Sequence, residues 1–421
     1  MKEIQTRNNI NASIRIPGSK SISHRALITA GLAKGESRLE AFLDCEDTFR
    51  TINGLRDMGI DISAEGDRVL VSGNGGDFDH FVRTKEIFLG NSGTSYRLLL
   101  SVAALGQGEY ILHGTPRMQE RPIGDLVQAL NDLGVNVFYL GKDGYPPVSV
   151  RAKGIHGGRV RIPGKISSQY ISSLLLTGAY GKKDLEIEVI GDLVSRPYVD
   201  ITIDVMNRFG VQVERDAYAH FKVQAGSRYH PCSFIVDGDI SSASYFWGAA
   251  AVTGGTIITE NIHPYQTRQG DIGLLGVLEE MGCRIIKDTD RVTVQGGQLR
   301  GVDVDMGAMP DMVPTLAAVA LFAEGKTVIR NVAHLRYKES DRLRDLAVEW
   351  VGMGGVVDVL NDGLVIHGGS RLTGRQVDPH HDHRLAMSAG IIGLRVPGVR
   401  VIEENCVEKS FPTFWEWWDG L

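Results

Sequence analysis

Lys20, Arg25, Arg97 and Arg384 share an awkward location: each lies in the opening turns of a small-residue apolar segment that reads as a helix. A helix N-terminus already carries partial positive charge and unpaired N–H groups, so a cation there needs an anion nearby. A bound anionic ligand is the economical source, and a carboxylate from elsewhere in the fold is the alternative. Ser21, Asn91, Gly93, Ser167, Ser168, Gln169, His383 and the acidic Asp311 stand at the same kind of helix start. N-capping explains about half of these polar residues, but not the cations. Arg121, just ahead of Pro122 in QERPIG, suits two-pronged binding of carboxylate or phosphate. The run LRYKESDRLRDL holds Arg336, Lys338, Glu339, Asp341, Arg342 and Arg344 and reads equally as a solvated ion-paired helix start or as part of an anion site. Lys409 in VEKSFP is an isolated cation that carries nothing alone. Acids such as Asp311 and Glu339 among so many cations repel an anionic ligand unless they move protons.

The elements that position these residues repeat. Gly/Ser/Asp-rich turn, apolar helix, Gly and β-like run recur six times, with the Gly at 35, 108, 181, 255, 325 and 398, about 73 residues apart. A second series of amphipathic helices ends in a hydrophobic residue and Gly at 59, 134, 210, 282 and 354, where a left-handed C-terminal cap is expected. A pair of short alternating strands follows each of these. The unit is helix–strand–helix–strand–strand, an α/β repeat longer than most solenoid periods. The first-series helices are apolar nearly all round and must be buried on every side, which predicts helices inside and sheets outside.

The sixth copy lacks its strand pair after SFPTFWEWWDGL, and the N-terminal KEIQTRNNINASIRIPG offers two short strands for it. Both termini then share one domain, 1–18 plus 238–421, and 19–237 forms an inserted domain, each with three repeats. The expected fold is a two-domain, inside-out α/β barrel, with an active site in the interdomain cleft where the helix starts face each other. Like-charged ends would stay apart until anions bridge them, so domain closure on substrate is expected.

With 421 residues, 43% apolar, the chain can bury more than one core. A net charge of −6 argues against nucleic acid or an anionic membrane as partner. Cys45, Cys232, Cys283 and Cys406 show no CxxC spacing and read as isolated thiols of a reducing cytoplasm. No signal peptide or membrane span is expected. GSKS at 18–21 lacks the glycines of a phosphate-binding P-loop, and DPHHDHR lacks a helical His pair for a metal. GNGG at 73–76 reads as a turn.

In this order and spacing, PGSKSIS, LGNSGT, ERPIG, SSQYISSLL, SRPYVDIT, GDISSASYF, MPD, KESDR, DHR and EKSFP resemble the 5-enolpyruvylshikimate-3-phosphate synthase family over essentially the whole length. The resemblance implies two inside-out domains of threefold repeats. It also implies enolpyruvyl transfer from phosphoenolpyruvate to the 5-hydroxyl of shikimate 3-phosphate, with phosphate released through a tetrahedral intermediate. No cofactor, no metal and no covalent enzyme adduct are implied, and the protein is expected to be a cytoplasmic monomer. By motif, Lys20, Ser21, Arg25, Ser167, Ser168, Gln169, Ser195, Tyr198, Asp311, His334 and Lys338 resemble the shikimate 3-phosphate contacts. Lys20, Asn91, Gly93, Arg121, Gln169, Arg342, His383, Arg384 and Lys409 resemble the phosphoenolpyruvate contacts. Asp311, Glu339 and Lys20 resemble the proton-transfer groups, with the assignment of acid to step left open, and Gly93 is similar to the position that leaves room for the inhibitor glyphosate. His24 and His334 stand where the family commonly carries Asn. A UDP-N-acetylglucosamine enolpyruvyl transferase is disfavoured because HGTPRMQERP lacks the Cys usual in that loop. A non-catalytic anion-binding module is disfavoured by Asp311 and Glu339.

Overall fold

The structure, a computed structural model, describes residues 1–78 and 82–421. The chain divides into two compact units, one of Met1–Ser19 with Asp237–Leu421 and one of Lys20–Val236.

In the Lys20–Val236 unit the helices are α1 (Lys20–Leu32), α2 (Glu46–Asp57), α3 (Gly93–Ala103), α4 (Gly124–Asp132), α5 (Ser168–Gly178) and α6 (Pro197–Arg208). In the other they are α7 (Ile240–Thr253), α8 (Leu274–Glu280), α9 (Val313–Ala320), α10 (Arg342–Gly352), α11 (His383–Gly393) and α12 (Phe414–Asp419). The odd-numbered members α1 to α11 are the apolar series. Every residue of α7, α9 and α11 is buried, as is nearly all of α1, α3 and α5. Some of their hydroxyls bond a neighbouring helix, as Ser101 Oγ does Ser173 Oγ at 2.6 Å and Ser244 Oγ does Thr315 Oγ1 at 2.9 Å, and others bond locally. Thr29 donates to the Arg25 carbonyl and Thr253 to the Ala249 carbonyl, each one turn back. Trp247, fully buried in α7, donates its indole N–H to Thr259 Oγ1 at 2.9 Å. Left-handed glycines follow the amphipathic series at Gly59, Gly134, Gly210, Gly282 and Gly354, as the spacing predicts.

Three sheets belong to the Lys20–Val236 unit. The first pairs β14 (Ser233–Ile235), β3 (Lys34–Glu40), β5 (Arg68–Asn74) and β4 (Asp61–Glu65), and the second pairs β6 (Val82–Phe88), β7 (Gln107–His113), β9 (Val148–Lys153) and β8 (Asn136–Tyr139). The third pairs β10 (Gly158–Pro163), β11 (Leu185–Ile190), β13 (His220–Val223) and β12 (Glu214–Asp216). The other unit holds β2 (Asn11–Arg15), β15 (Thr256–Glu260), β17 (Arg291–Gln295) and β16 (Arg284–Lys287) in one sheet. A second contains β18 (Asp303–Asp305), β19 (Lys326–Arg330), β21 (Leu364–His367) and β20 (Val356–Val359), and a third β1 (Lys2–Glu3), β23 (Arg400–Val401) and β22 (Gln376–Val377).

The repeat therefore contains one strand more than its sequence spacing suggested. In four copies a strand precedes the apolar helix and pairs in parallel with the strand that follows it, a βαβ crossover. At the two places where the chain passes between units the pattern is exchanged. β2 precedes α1 but pairs with β15, and β14 precedes α7 but pairs with β3. The N-terminal strands thus separate: β1 completes the sixth sheet against β23, while β2 completes the fourth. The passing segments hold each other through Ser19 N–H to the Asp237 carbonyl at 2.7 Å and Asp239 N–H to the Pro17 carbonyl at 2.8 Å. α12 is anchored by aromatic packing, with Phe414 stacked on Trp418 and both against Phe246.

Candidate functional site

The candidate residues fall into two sets, one in each unit. In the Lys20–Val236 unit they line helix starts. Lys20 opens α1 and its ammonium lies 3.1 Å from Asp47 Oδ2, near the start of α2. Ser21 follows it, and its carbonyl accepts from Arg25 Nη1 at 2.8 Å. Arg25 is 1% exposed, and its other partners are Thr202 Oγ1 at 2.7 Å, the Tyr198 carbonyl at 3.2 Å and Ser172 Oγ at 3.4 Å. All of these are neutral. Burial draws the Arg25 pKa down to about 10, so it remains charged at neutral pH.

Ser167 caps α5, accepting from Gln169 N–H at 3.3 Å, and Ser168 is buried behind it. Both ends of the Gln169 amide are held: its oxygen accepts from Arg97 Nη1 at 2.8 Å, and its nitrogen donates to Thr94 Oγ1 at 2.9 Å. Arg97 also lies over the Tyr170 ring. Ser195 has φ of 53°, a left-handed conformation unusual for a residue with a side chain and often found at binding sites. Pro197 then starts α6, with Tyr198 in its first turn. Arg121 is buried, and its Nη1 donates to the Asn91 carbonyl at 2.9 Å. It presses on Gly93, where an added Cβ would lie 2.4 Å from Nη2 and 2.6 Å from Cζ.

In the other unit the carboxylates and guanidiniums interlock. Arg342, 1% exposed, opens α10 and reaches three acids: Asp382 Oδ2 from Nε at 2.6 Å, Glu339 Oε2 from Nη2 at 2.7 Å and Asp311 Oδ1 from Nη1 at 3.0 Å. Arg384 donates to Asp311 Oδ2 at 2.8 Å and to the Tyr245 hydroxyl at 3.3 Å, and Lys338 Nζ lies 3.5 Å from Asp311 Oδ1. Burial pushes the Asp311 carboxyl up, but Arg384, Lys338 and Arg342 outweigh it and hold the group well below the usual carboxylate range. Burial lowers Arg342, while Asp382, Glu339 and Asp311 more than compensate and raise it. His334, in the turn Ala333–Tyr337, is drawn down to about 4 by burial and by Lys338, so its imidazole is neutral at physiological pH. His383 opens α11, fully buried, and Lys409 ends the turn Glu404–Lys409, also buried.

These partners answer the question posed by cations at helix starts. Asp47 meets Lys20, Asp311 meets Arg384 and the Gln169 amide meets Arg97, each from the same unit. Arg25 and Arg97 have only neutral partners among their hydrogen bonds. The KESDR run divides in the structure. Lys338, Glu339 and Arg342 point into the carboxylate cluster, whereas Asp341 caps α10 and pairs with Arg336 outside it. His24 belongs to the core: its Nδ1 lies 2.8 Å from Thr51 Oγ1, which donates to Ser95 Oγ at 2.8 Å.

Sequence reasoning gave Asp382 no role beyond its place in DPHHDHR, set aside as a metal site, yet this fully buried residue caps α11 through Arg384 N–H and grips Arg342. The same reasoning passed over Asp47, the partner of Lys20. Their only local signal is position, an acid immediately before or within a helix start. Among the described residues no group of three or more His, Cys, Asp or Glu side chains is placed to hold a metal ion. No helix is long and apolar enough to cross a membrane among those residues.

The architecture matches solved enolpyruvyl-transferase folds: an EPSP synthase from Acinetobacter baumannii aligns with TM-score 0.80 at 27% identity, covering 98% of this chain and 96% of that one. The sequence profile of EPSP synthase (3-phosphoshikimate 1-carboxyvinyltransferase) matches residues 4–418. Similar proteins include a 3-phosphoshikimate 1-carboxyvinyltransferase of a Sulfurovum species, 42% identical and covering 97% of this chain and 96% of its own length. Another, from Methanoculleus marisnigri, is 44% identical with the same coverage. The chain belongs to the EPSP synthase family. The fold class read from the repeats, α/β with buried helices and outer sheets, is that of the family.

Proposed function

We propose that this chain transfers the carboxyvinyl group of phosphoenolpyruvate to the 5-hydroxyl of shikimate 3-phosphate, releasing phosphate; its relatives are named 3-phosphoshikimate 1-carboxyvinyltransferase. The observation that carries the reading is Asp311: a buried carboxylate kept ionised by Arg384, Lys338 and Arg342. In the proposed reaction Asp311 accepts the hydroxyl proton as the oxygen bonds to C2 of phosphoenolpyruvate, and the methylene carbon gains a proton from Glu339. Elimination returns that proton as the C2–O bond to phosphate breaks. Lys20 supports proton transfer beside Asp47. The cations supply the larger effect, stabilising charge on carboxylate and departing phosphate in a site that is already organised.

The same proposal assigns Arg25, Ser21, Ser167, Ser168, Ser195, Tyr198, Lys338 and neutral His334 to shikimate 3-phosphate. Arg25 favours this because it is a buried cation with neutral partners, ready for an anion. Arg121, Asn91, Gly93, Gln169, Arg342, His383, Arg384 and Lys409 are assigned to phosphoenolpyruvate, with Lys20 touching both. A cytoplasmic monomer is part of the proposal, and light scattering behind size exclusion tests the oligomeric state.

The deciding assay is phosphate release that requires both substrates. Release with UDP-N-acetylglucosamine in place of shikimate 3-phosphate would overturn the reading. Asp311→Asn should lower turnover by ~10²–10⁴-fold, the range for loss of a general base, while phosphoenolpyruvate binding persists. Turnover within tenfold of the parent would remove Asp311 from this role.

A further inference from the structure

Asp271 lies in the turn Gly270–Gly273, which packs against the turn Pro310–Met312 that carries Asp311 and against the start of α7. It is buried; Oδ2 accepts from Ser241 Oγ at 2.5 Å, and Oδ1 has no hydrogen-bond partner. Its turn is fixed by the neighbouring Gln269, whose amide donates to the Gly238 carbonyl at 2.8 Å and accepts from Ile240 N–H at 3.2 Å. The charged groups facing it are Asp311, Arg384 at α11 and Asp239, the cap of α7. Two of these three are acids. The proposed reaction gives Asp271 no task, yet an ionised carboxylate with an empty oxygen is costly in this setting.

We propose that Asp271 is a positioning residue that exchanges a proton near neutral pH and, on losing it, raises the proton affinity of Asp311. This role rests on Asp311 acting as the base. The physical grounds agree: burial first, then the negative charge of Asp311, push the Asp271 carboxyl up to about 7, against the opposing Ser241 hydrogen bond and Arg384. Interaction between two acids is mutual, so an ionised Asp271 makes Asp311 easier to protonate and hence a better acceptor for the hydroxyl proton. Asp271 itself touches neither substrate nor the transferred proton.

Two measurements on the full chain test it. Infrared difference spectra should show a protonated carboxyl band that is present at pH 6, lost by pH 9 and missing from Asp271→Asn. The single-turnover rate of phosphate release, taken as the ratio of wild type to Asp271→Asn, should rise several-fold between those pH values. A purely structural role would give a ratio that does not change with pH, and that result, or absence of the band at pH 6, overturns the inference. Ser241→Ala guards against misfolding of the first variant: losing the hydrogen bond that favours the ionised form should move the wild-type midpoint to higher pH, and an unmoved midpoint counts against the inference. No phosphate release from wild type would sink the role given to Asp311, and with it the tuning role, while the infrared titration would still judge the proton on Asp271.

Discussion

Arg342 Nη1 donates to Asp311 Oδ1 at 3.0 Å while the rest of the same guanidinium is occupied by Glu339 and Asp382. One buried cation therefore fixes the proposed base, a second acid and the cap of α11 in a single arrangement. Removing it leaves three carboxylates facing one another with less positive charge to hold them. Arg342→Met should destabilise the fold by ~3–5 kcal/mol, the usual cost of orphaning a buried ion pair, as read by urea unfolding. A loss below about 1 kcal/mol would mean that the acids rearrange or are solvated.

Gly93 is tested by the space it leaves. A Cβ there would meet the Arg121 guanidinium at 2.4 to 2.9 Å, closer than real contacts allow, so Arg121 must move. Gly93→Ala should raise KM for phosphoenolpyruvate about 10-fold or more, in line with losing a charge-assisted hydrogen bond, and change KM for shikimate 3-phosphate little. Equal effects on both substrates would show that the displacement is not confined to Arg121.

His334 should take up no proton across the physiological range. Its folded pKa, about 4, is depressed below the ordinary histidine value, so the unfolded chain binds the proton first as pH falls. The stability that neutral His334 contributes is present above pH ~6.5 and declines as pH falls toward 4. Imidazole NMR shifts that titrate near 6.5 would contradict this, as would an unaltered low-pH stability profile in His334→Gln.

The same reasoning gives Asp271 the opposite sign. Its folded pKa, about 7, lies above the ordinary aspartate value, so the folded state holds the proton more tightly. The contribution is full below pH ~4 and is lost as pH rises through 7. Asp271→Asn should therefore gain stability relative to wild type at pH 8 compared with pH 4, by on the order of 2–4 kcal/mol. Paired urea melts at the two pH values measure it, and a difference that is the same at both pH values would refute it.

Much of the fold was legible because its signals are local. Helices such as α7 and α11 declare their burial by having no polar face, and the glycines at 59, 134, 210, 282 and 354 mark left-handed caps by a period of about 73. The strand before each apolar helix was harder to see. β14 and β18 are three residues each, and what makes them strands is a parallel partner, for β18 beyond a helix in β19 and for β14 nearly two hundred residues away in β3. Nothing in SFI or DVD alone announces that pairing. The exchange of β2 and β14 between sheets is likewise a long-range pairing that no local signal announces.

At the site, residue type and helix-start position marked Lys20, Arg25, Arg97 and Arg384, because a cation against a helix dipole is anomalous from sequence alone, while Asp311 stood out as an acid at such a start and Arg342 only within the charged run LRYKESDRLRDL. Which acid answers each cation was not. Asp47 lies 27 residues from Lys20 and Asp311 73 from Arg384, and only packing of separate turns brings them within hydrogen-bond reach. Asp271 shows the limit most clearly. From sequence it is one more acid near a helix start. Its proposed task arises only where folding removes water and sets Asp311 beside it, since the strength of an interaction between charges depends on distance and dielectric, and both are properties of the tertiary structure.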